Sequence, residues 1–482
     1  MTVRDTAASR YAIKNLPRFV TELRQFVSFP SISSQPGHAA DVLRCARWLA
    51  SHLKKIGFRQ VRVFPTKGHP VVYAQALDSS SLPTVVVYGH YDVQPVDPLR
   101  EWTSPPFVAV VRDGKIYGRG ASDDKGQLFL HLKAFESCFA TRRRLPVNVK
   151  CIFEGEEEIG STNLPAFLRQ HARSLKADAA VVSDTRMLSI NQPALIRSLR
   201  GGAGFEITVR GPKHDLHSGT FGGAVHNPIQ ALCEILARMH NPDGSIAIPG
   251  FYDQVRELSR IRHEELEPFV PSDREILHDA ETEVPWGEAG FSLYERTTLR
   301  PALTINGISG GYQGPLIKAV IPSSATAKLS FRLVADQNPK HVEWLLERFI
   351  NQVKPPTVQV ELKTFSLTPP AAIDLEHPAM RAAALAYQDG FGVSPVYLHS
   401  GGTIPVVNTL QNILRIPRVL MGFALSSDNM HAPNEKFELR NFRRGIHTCI
   451  SFLHHMRSIT RTTQVAAKTQ NRPTVPEGER EL

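Results

Sequence analysis

A chain of 482 residues exceeds what one hydrophobic core usually supports, so two domains are expected. With 42% hydrophobic and 21% charged residues, it is too apolar to be disordered. The net charge of +10 is spread along the chain, with Arg142 to Arg144 as the densest run, so it reads as a solvated basic surface and excludes a nucleic-acid partner. The five cysteines are scattered, odd in number and without a CxxC pair, which suits free thiols in a reducing compartment. The first residues contain no apolar signal core, and no run of about 18 apolar residues occurs. A cytoplasmic protein with no membrane partner is expected.

In chain order, Leu16, Phe19, Val20, Leu23, Phe26 and Val27 share one helical face over 16–29. Val42, Cys45, Leu49, Leu53 and Ile56 repeat the pattern over 41–56, and Gly57 is a C-terminal stop. Strand-like runs follow at 59–65, 71–76 and 84–89. A helix over 125–138 precedes a strand at 147–153, and a helix over 164–175 precedes a strand at 178–183. This alternation predicts an α/β domain with a mixed, mostly parallel sheet. At Gly201-Gly202 the character changes. A strand at 205–210, a helix at 227–240, strands near 302–306 and at 325–334, a helix at 339–353 and a strand at 357–364 follow. That order, βαββαβ, predicts a small inserted α+β domain, with 241–300 as an insertion within it. The expected organisation is a discontinuous first domain (1–200 and 367–460), an inserted domain (201–366) and a flexible tail (461–482).

In α/β sheets, ligands gather beyond the carboxyl ends of the strands. Here the strand at 84–89 leads into His90 and Asp92, and the one at 147–153 into Glu156, Glu157 and Glu158. The strand at 178–183 leads into Asp184, Asp123 and Asp124 precede a helix, and His431 follows an apolar run at 417–423. Each has an ordinary interpretation alone: a helix cap for Asp123, a solvated charge run for the glutamates, a turn residue for Asp184. Five such endings are more than chance supplies. Imidazole and carboxylate donors suit zinc or a similar divalent ion. Two adjacent ions need a bridging carboxylate, a spare glutamate can serve as base, and Asp92 can orient His90.

The ordered set GHYDVQP, GRGASDDKG, EGEEEIGS, SDT and HAPNE resembles the zinc-dependent aminoacylase/carboxypeptidase metallopeptidase family, over about residues 15–457. EWTSPPF, DLHSGTFGG, IPGFYD, RPALTINGI, GGYQGP and FRLVADQ are similar to its carnosine-type dipeptidase branch. The resemblance implies a di-metal catalytic domain and an inserted lid and dimerisation domain. It implies His90, Asp123 and Asp184 on one metal, and Asp123, Glu158 and His431 on the other, with Glu157 as general base and Asp92 bracing His90. The metals would be two zinc ions, with manganese or cobalt as substitutes. A cis peptide is implied between Asp123 and Asp124. His217 would reach the partner subunit's active site in a homodimer and polarise the scissile carbonyl. Arg332 would bind the substrate carboxylate, with Asn306, Gly401, Gly402 and Thr403 as further substrate contacts. The activity implied is hydrolysis of a dipeptide, or of a peptide with a free C-terminal carboxylate. One departure stands out. Close dipeptidases commonly carry Arg, often followed by Glu, before the glycine-rich loop, where this chain has His399 and Ser400. This leaves room for an N-acyl amino acid substrate and a deacylase. A non-catalytic binding protein that kept the fold is a third possibility.

Overall fold

The computed structural model describes residues 6–257 and 270–470, with 459–470 as backbone only. The chain divides into two compact units. One comprises residues up to 195, 374–397 and from 409 onward; the other comprises 196–373 and 398–408.

The first unit is built on a six-stranded mixed sheet. Its spatial order is Gln60–Phe64, Val71–Ala76, Asn148–Glu154, Thr84–His90, Ala179–Val182 and Arg418–Leu420. The first two pairings are antiparallel, and the remaining three are parallel. Four consecutive strands therefore point the same way, and their carboxyl ends share one edge. Val85, Val86, Val87 and Tyr88 are buried, as β-branched and aromatic residues covered on both faces should be. The helix Lys125–Arg142 is buried on every side from Lys125 to Cys138, so it shows no amphipathic stripe. It carries Lys133 into the core, where Nζ donates to Glu136 Oε2 at 2.8 Å and sits 4.5 Å from the Phe129 ring centre.

A helix not anticipated from the apolar pattern, Ala7–Lys14, precedes Leu16–Val27. Its side chains are mostly small or polar, and Thr6 Oγ1 caps it by accepting from Ser9 N at 3.1 Å. The last helix, Leu439–Gln470, continues through the first part of the segment expected to be a tail; residues 471–482 lie outside the described ones. Among the described residues, no helix is long and apolar enough to cross a membrane. All five cysteines are free.

The second unit holds a four-stranded antiparallel sheet in the order Ala302–Gly310, Ser324–Leu333, Gly201–Arg210, Gln359–Thr368. Burial alternates strictly along Gly201–Arg210, the signature of a sheet covered on one face. Helices Pro228–Ala237 and Pro339–Val353 pack there, joining Leu232, Ile235, Leu346 and Phe349 to Phe205, Ile207 and Phe331 in one core. The insertion contains two short helices, Asp273–Asp279 and Leu293–Thr298. Each starts with a capping box, Ser272 with Glu275 and Ser292 with Glu295. Residues 398–408 return to this unit. They are held there by His399 Nδ1 against Ser198 Oγ at 2.6 Å and by Arg200 Nε donating to Gly401 O at 3.1 Å.

Candidate metal centre

The first unit gathers seven of the residues singled out from sequence. His90 ends its strand fully buried, and its Nε2 lies 3.1 Å from Asp123 Oδ1 and 4.0 Å from Asp184 Oδ2. Asp123 Oδ2 lies 2.9 Å from His431 Nε2, which is also 3.3 Å from Glu158 Oε2. One carboxylate, Asp123, thus faces a histidine with each oxygen. Ligand-competent atoms of His90, Asp123 and Glu158 lie within 4.8 Å of one another, and so do those of His90, Glu157 and Asp184.

The helix-cap and charge-run interpretations do not hold. The residue that begins the helix Lys125–Arg142 is Asp124, and its side chain makes no capping bond. Instead Asp124 Oδ2 accepts the His90 amide at 3.2 Å. The peptide between Asp123 and Asp124 is cis. The three glutamates form no solvated run. Glu156 is buried and accepts from His69 N at 2.9 Å and from Asn163 N at 3.1 Å. Glu157 and Glu158 sit half-buried in a single 3-10 turn. Asp92 holds that turn: Oδ1 accepts Glu157 N at 3.2 Å and Oδ2 accepts Glu158 N at 3.1 Å. It also stands beside His90, with its carbonyl 3.1 Å and its carboxylate 3.4 Å from Nδ1. Its carboxylate therefore joins two ligand-bearing loops as well as flanking the imidazole.

The charges are unbalanced. Asp92, Asp123, Glu157, Glu158 and Asp184 crowd around two imidazoles. Burial, joined by repulsion from Asp123, holds the Asp184 carboxyl well above the usual range, and burial does the same to Glu157. Burial also works against ionisation of Asp123, but hydrogen bonds from His431 and His90 outweigh it and keep that carboxyl low. His431 is pushed up to about 10 by its hydrogen bonds to Asp123 and Glu158. The donor set is oxygen and imidazole nitrogen without thiolate, the set that suits a catalytic zinc, cobalt or manganese ion and not a closed structural zinc. The residues fit a pair of divalent cations.

Three supporting bonds escaped the sequence reading. Gln94 Nε2 donates to Glu158 Oε2 at 2.8 Å, Asp124 holds the His90 backbone, and Glu435 binds the backbone around Asp123. Gln94 and Glu435 lie inside the quoted motifs GHYDVQP and HAPNE, so their positions were visible although their bonds were not.

The other candidates belong to the second unit. Arg332 Nη1 donates to Thr403 Oγ1 at 2.7 Å, and Thr403 Oγ1 donates to Arg200 O at 2.9 Å. A Cβ on Gly401 would stand 2.2 Å from Thr297 O, so only glycine fits there. Gly402 N donates to Ser400 Oγ at 3.2 Å. Asn306 is exposed, at a shift of register between Ile305 and Gly307. His217 is exposed, and its Nδ1 accepts from Gly219 N at 3.0 Å.

Fold and donor set together define a metal-dependent hydrolase. The sequence model of peptidase family M20/M25/M40 matches residues 86–455. The Cys-Gly metallodipeptidase dug1 of Schizosaccharomyces pombe is 32% identical over 472 residues, 93% of this chain and 97% of its own. The human Beta-Ala-His dipeptidase is 31% identical over 466 residues, 91% of this chain and 90% of its own. The crystal structure of human carnosine dipeptidase 1 superposes with a TM-score of 0.84 at 29% identity, covering 94% of this chain and 98% of that one. The chain belongs to peptidase family M20/M25/M40.

Proposed function

We propose that the protein is a cytoplasmic dipeptidase that hydrolyses dipeptides, or short peptides with a free C-terminal carboxylate, with two zinc ions. The observation that carries this is the pairing of His90 and His431 across Asp123, with Glu157, Glu158 and Asp184 beside it, in a chain of this family. His90, Asp123 and Asp184 would hold one ion, and Asp123, Glu158 and His431 the other. When bound, such cations supply Lewis acidity that makes a neighbouring water a stronger acid. Glu157 takes the proton of the attacking water at its carboxylate and returns it to the leaving amine. Asp92 keeps His90 and the glutamate turn in register. Arg332 binds the substrate carboxylate, steadied by Thr403, with Asn306 and the Gly401–Gly402 loop as further contacts. The named relatives support a dipeptide over an N-acyl amino acid: one is a Cys-Gly and the other a Beta-Ala-His dipeptidase. A panel of dipeptides and N-acyl amino acids assayed side by side decides. We expect faster kcat/KM on dipeptides; a preference for N-acyl amino acids would transfer the protein to the deacylases.

The second unit is the proposed lid and dimerisation domain. Ala302–Gly310 is an edge strand, and Ile305 and Ile308 on it are exposed, as are Leu316 and Ile317 just after it. An apolar edge of this kind favours a two-fold partner. His217 then acts on the partner's substrate. Mixing His217→Ala with Glu157→Gln subunits tests this. Random reassortment should restore about a quarter of native activity, because half the dimers are mixed and each has one intact site. Two inactive variants that stay inactive after proven exchange would place His217 outside any shared site.

A further inference from the structure

We infer that the buried pair Arg119–Glu435 is the positioning hub of the metal centre, fixing where Asp123 and His431 stand. This rests on the di-metal reading above. Glu435 is fully buried, and its carboxylate accepts four hydrogen bonds. Oε1 takes the amides of Ser122 at 2.9 Å and Asp123 at 3.0 Å. Oε2 takes the amide of Gly120 at 2.8 Å and Arg119 Nη1 at 2.9 Å. The carbonyl of Glu435 accepts a fifth, from Gly118 N at 2.9 Å. Arg119 is also buried. Its Nη2 donates to Pro95 O at 2.9 Å, and its guanidinium stands 5.4 Å from the Trp102 ring centre.

Three ligand-bearing segments therefore meet on one ion pair. Pro95 ends the segment that begins at His90. Gly118 to Asp123 is the segment that delivers the shared carboxylate. Glu435 closes the segment that begins at His431. A loop this tight has little slack: a Cβ on Gly120, whose φ is +86°, would stand 2.6 Å from Val93 Cγ1.

Stability alone does not explain such a pair. Removing two charges from water costs several kcal/mol per ion, and a well-packed apolar pair is often as stable or more so. What an apolar pair cannot do is saturate two amides beside Asp123 and aim a third segment at the same point. Nor can glutamine. It has one acceptor oxygen, and its NH2 group would face N–H donors on either side. The backbone of Asp123 must then shift, and the loss falls on metal affinity, as it does for other groups that orient ligands from behind.

Glu435→Gln, titrated with zinc against a competing chelator, should bind at least one of two zinc ions about 10–100-fold more weakly, the scale for such supporting residues. Added zinc should then recover kcat with KM for the dipeptide unchanged. A Glu435→Gln protein that binds two zinc ions with native affinity overturns the hub, whatever happens to its melting temperature. If that variant does not fold, Arg119→Lys decides. It keeps a cation against Glu435 but loses the arm to Pro95, and zinc affinity should still fall. Native affinity in Arg119→Lys likewise overturns the proposal. A wild-type protein that binds no divalent ion would overturn the di-metal reading itself, and the hub with it.

Discussion

Glu157→Gln should keep both metal ions and lose about 10²–10⁴-fold in turnover, the scale of a missing general base. Its neighbour shows why the two glutamates divide the work. Glu158 is tied down, 2.8 Å from Gln94 Nε2 and 3.3 Å from His431 Nε2. Among the described residues, no side chain donates a hydrogen bond to the Glu157 carboxylate. It is aimed into the cluster by the turn that Asp92 holds, yet it stays uncommitted. Burial holds its pKa well above the usual carboxylate range, which suits a group that must take a proton and release it again. Glu157 also has an oxygen within 4.8 Å of ligand-competent atoms of His90 and Asp184, so a ligand role is the competing assignment. Metal content separates the two. A Glu157→Gln protein with one ion fewer makes Glu157 a ligand. One with full metal and unchanged turnover removes it from the chemistry.

Much of this centre was legible because its residues lie where short, strongly patterned segments end. Val85 to Tyr88 can only be a buried strand, so His90 had to emerge at its tip. The order of the motifs then carried more information than any one of them. What stayed hidden falls into two kinds. Three-residue strands such as Val110–Arg112, Lys115–Tyr117 and Lys436–Glu438 are too short for alternation to show. The first two pair with each other, but Lys436–Glu438 joins them from more than 300 residues away, Phe437 opposite Ile116. The same distance hid the bond between Glu435 and the Asp123 amide, since nothing in HAPNE says which backbone its glutamate will meet. Lys125, His131 and Lys133 of the helix Lys125–Arg142 are polar yet buried, received by Phe29 O, by Ser183 Oγ, and by Glu136 with the Phe129 ring.

Removing the metal should abolish hydrolysis, and zinc, cobalt or manganese should restore it. It should also cost stability. Five carboxylates packed around two histidines repel one another, and without cations the site must hold protons that it would otherwise release. Ions that bind only the folded chain stabilise it by mass action, by about 4 kcal/mol when free metal is a thousandfold above its dissociation constant. The chelated protein should therefore melt several degrees lower. Readdition of zinc should return both activity and melting temperature. The two readouts guard each other. Lost activity with an unchanged melting temperature would mean that the chelator acted on something other than a bound ion. Full activity in a protein shown to be metal-free would remove metal from the mechanism, and the crowding of Asp123, Glu158 and Asp184 would then need another counter-charge.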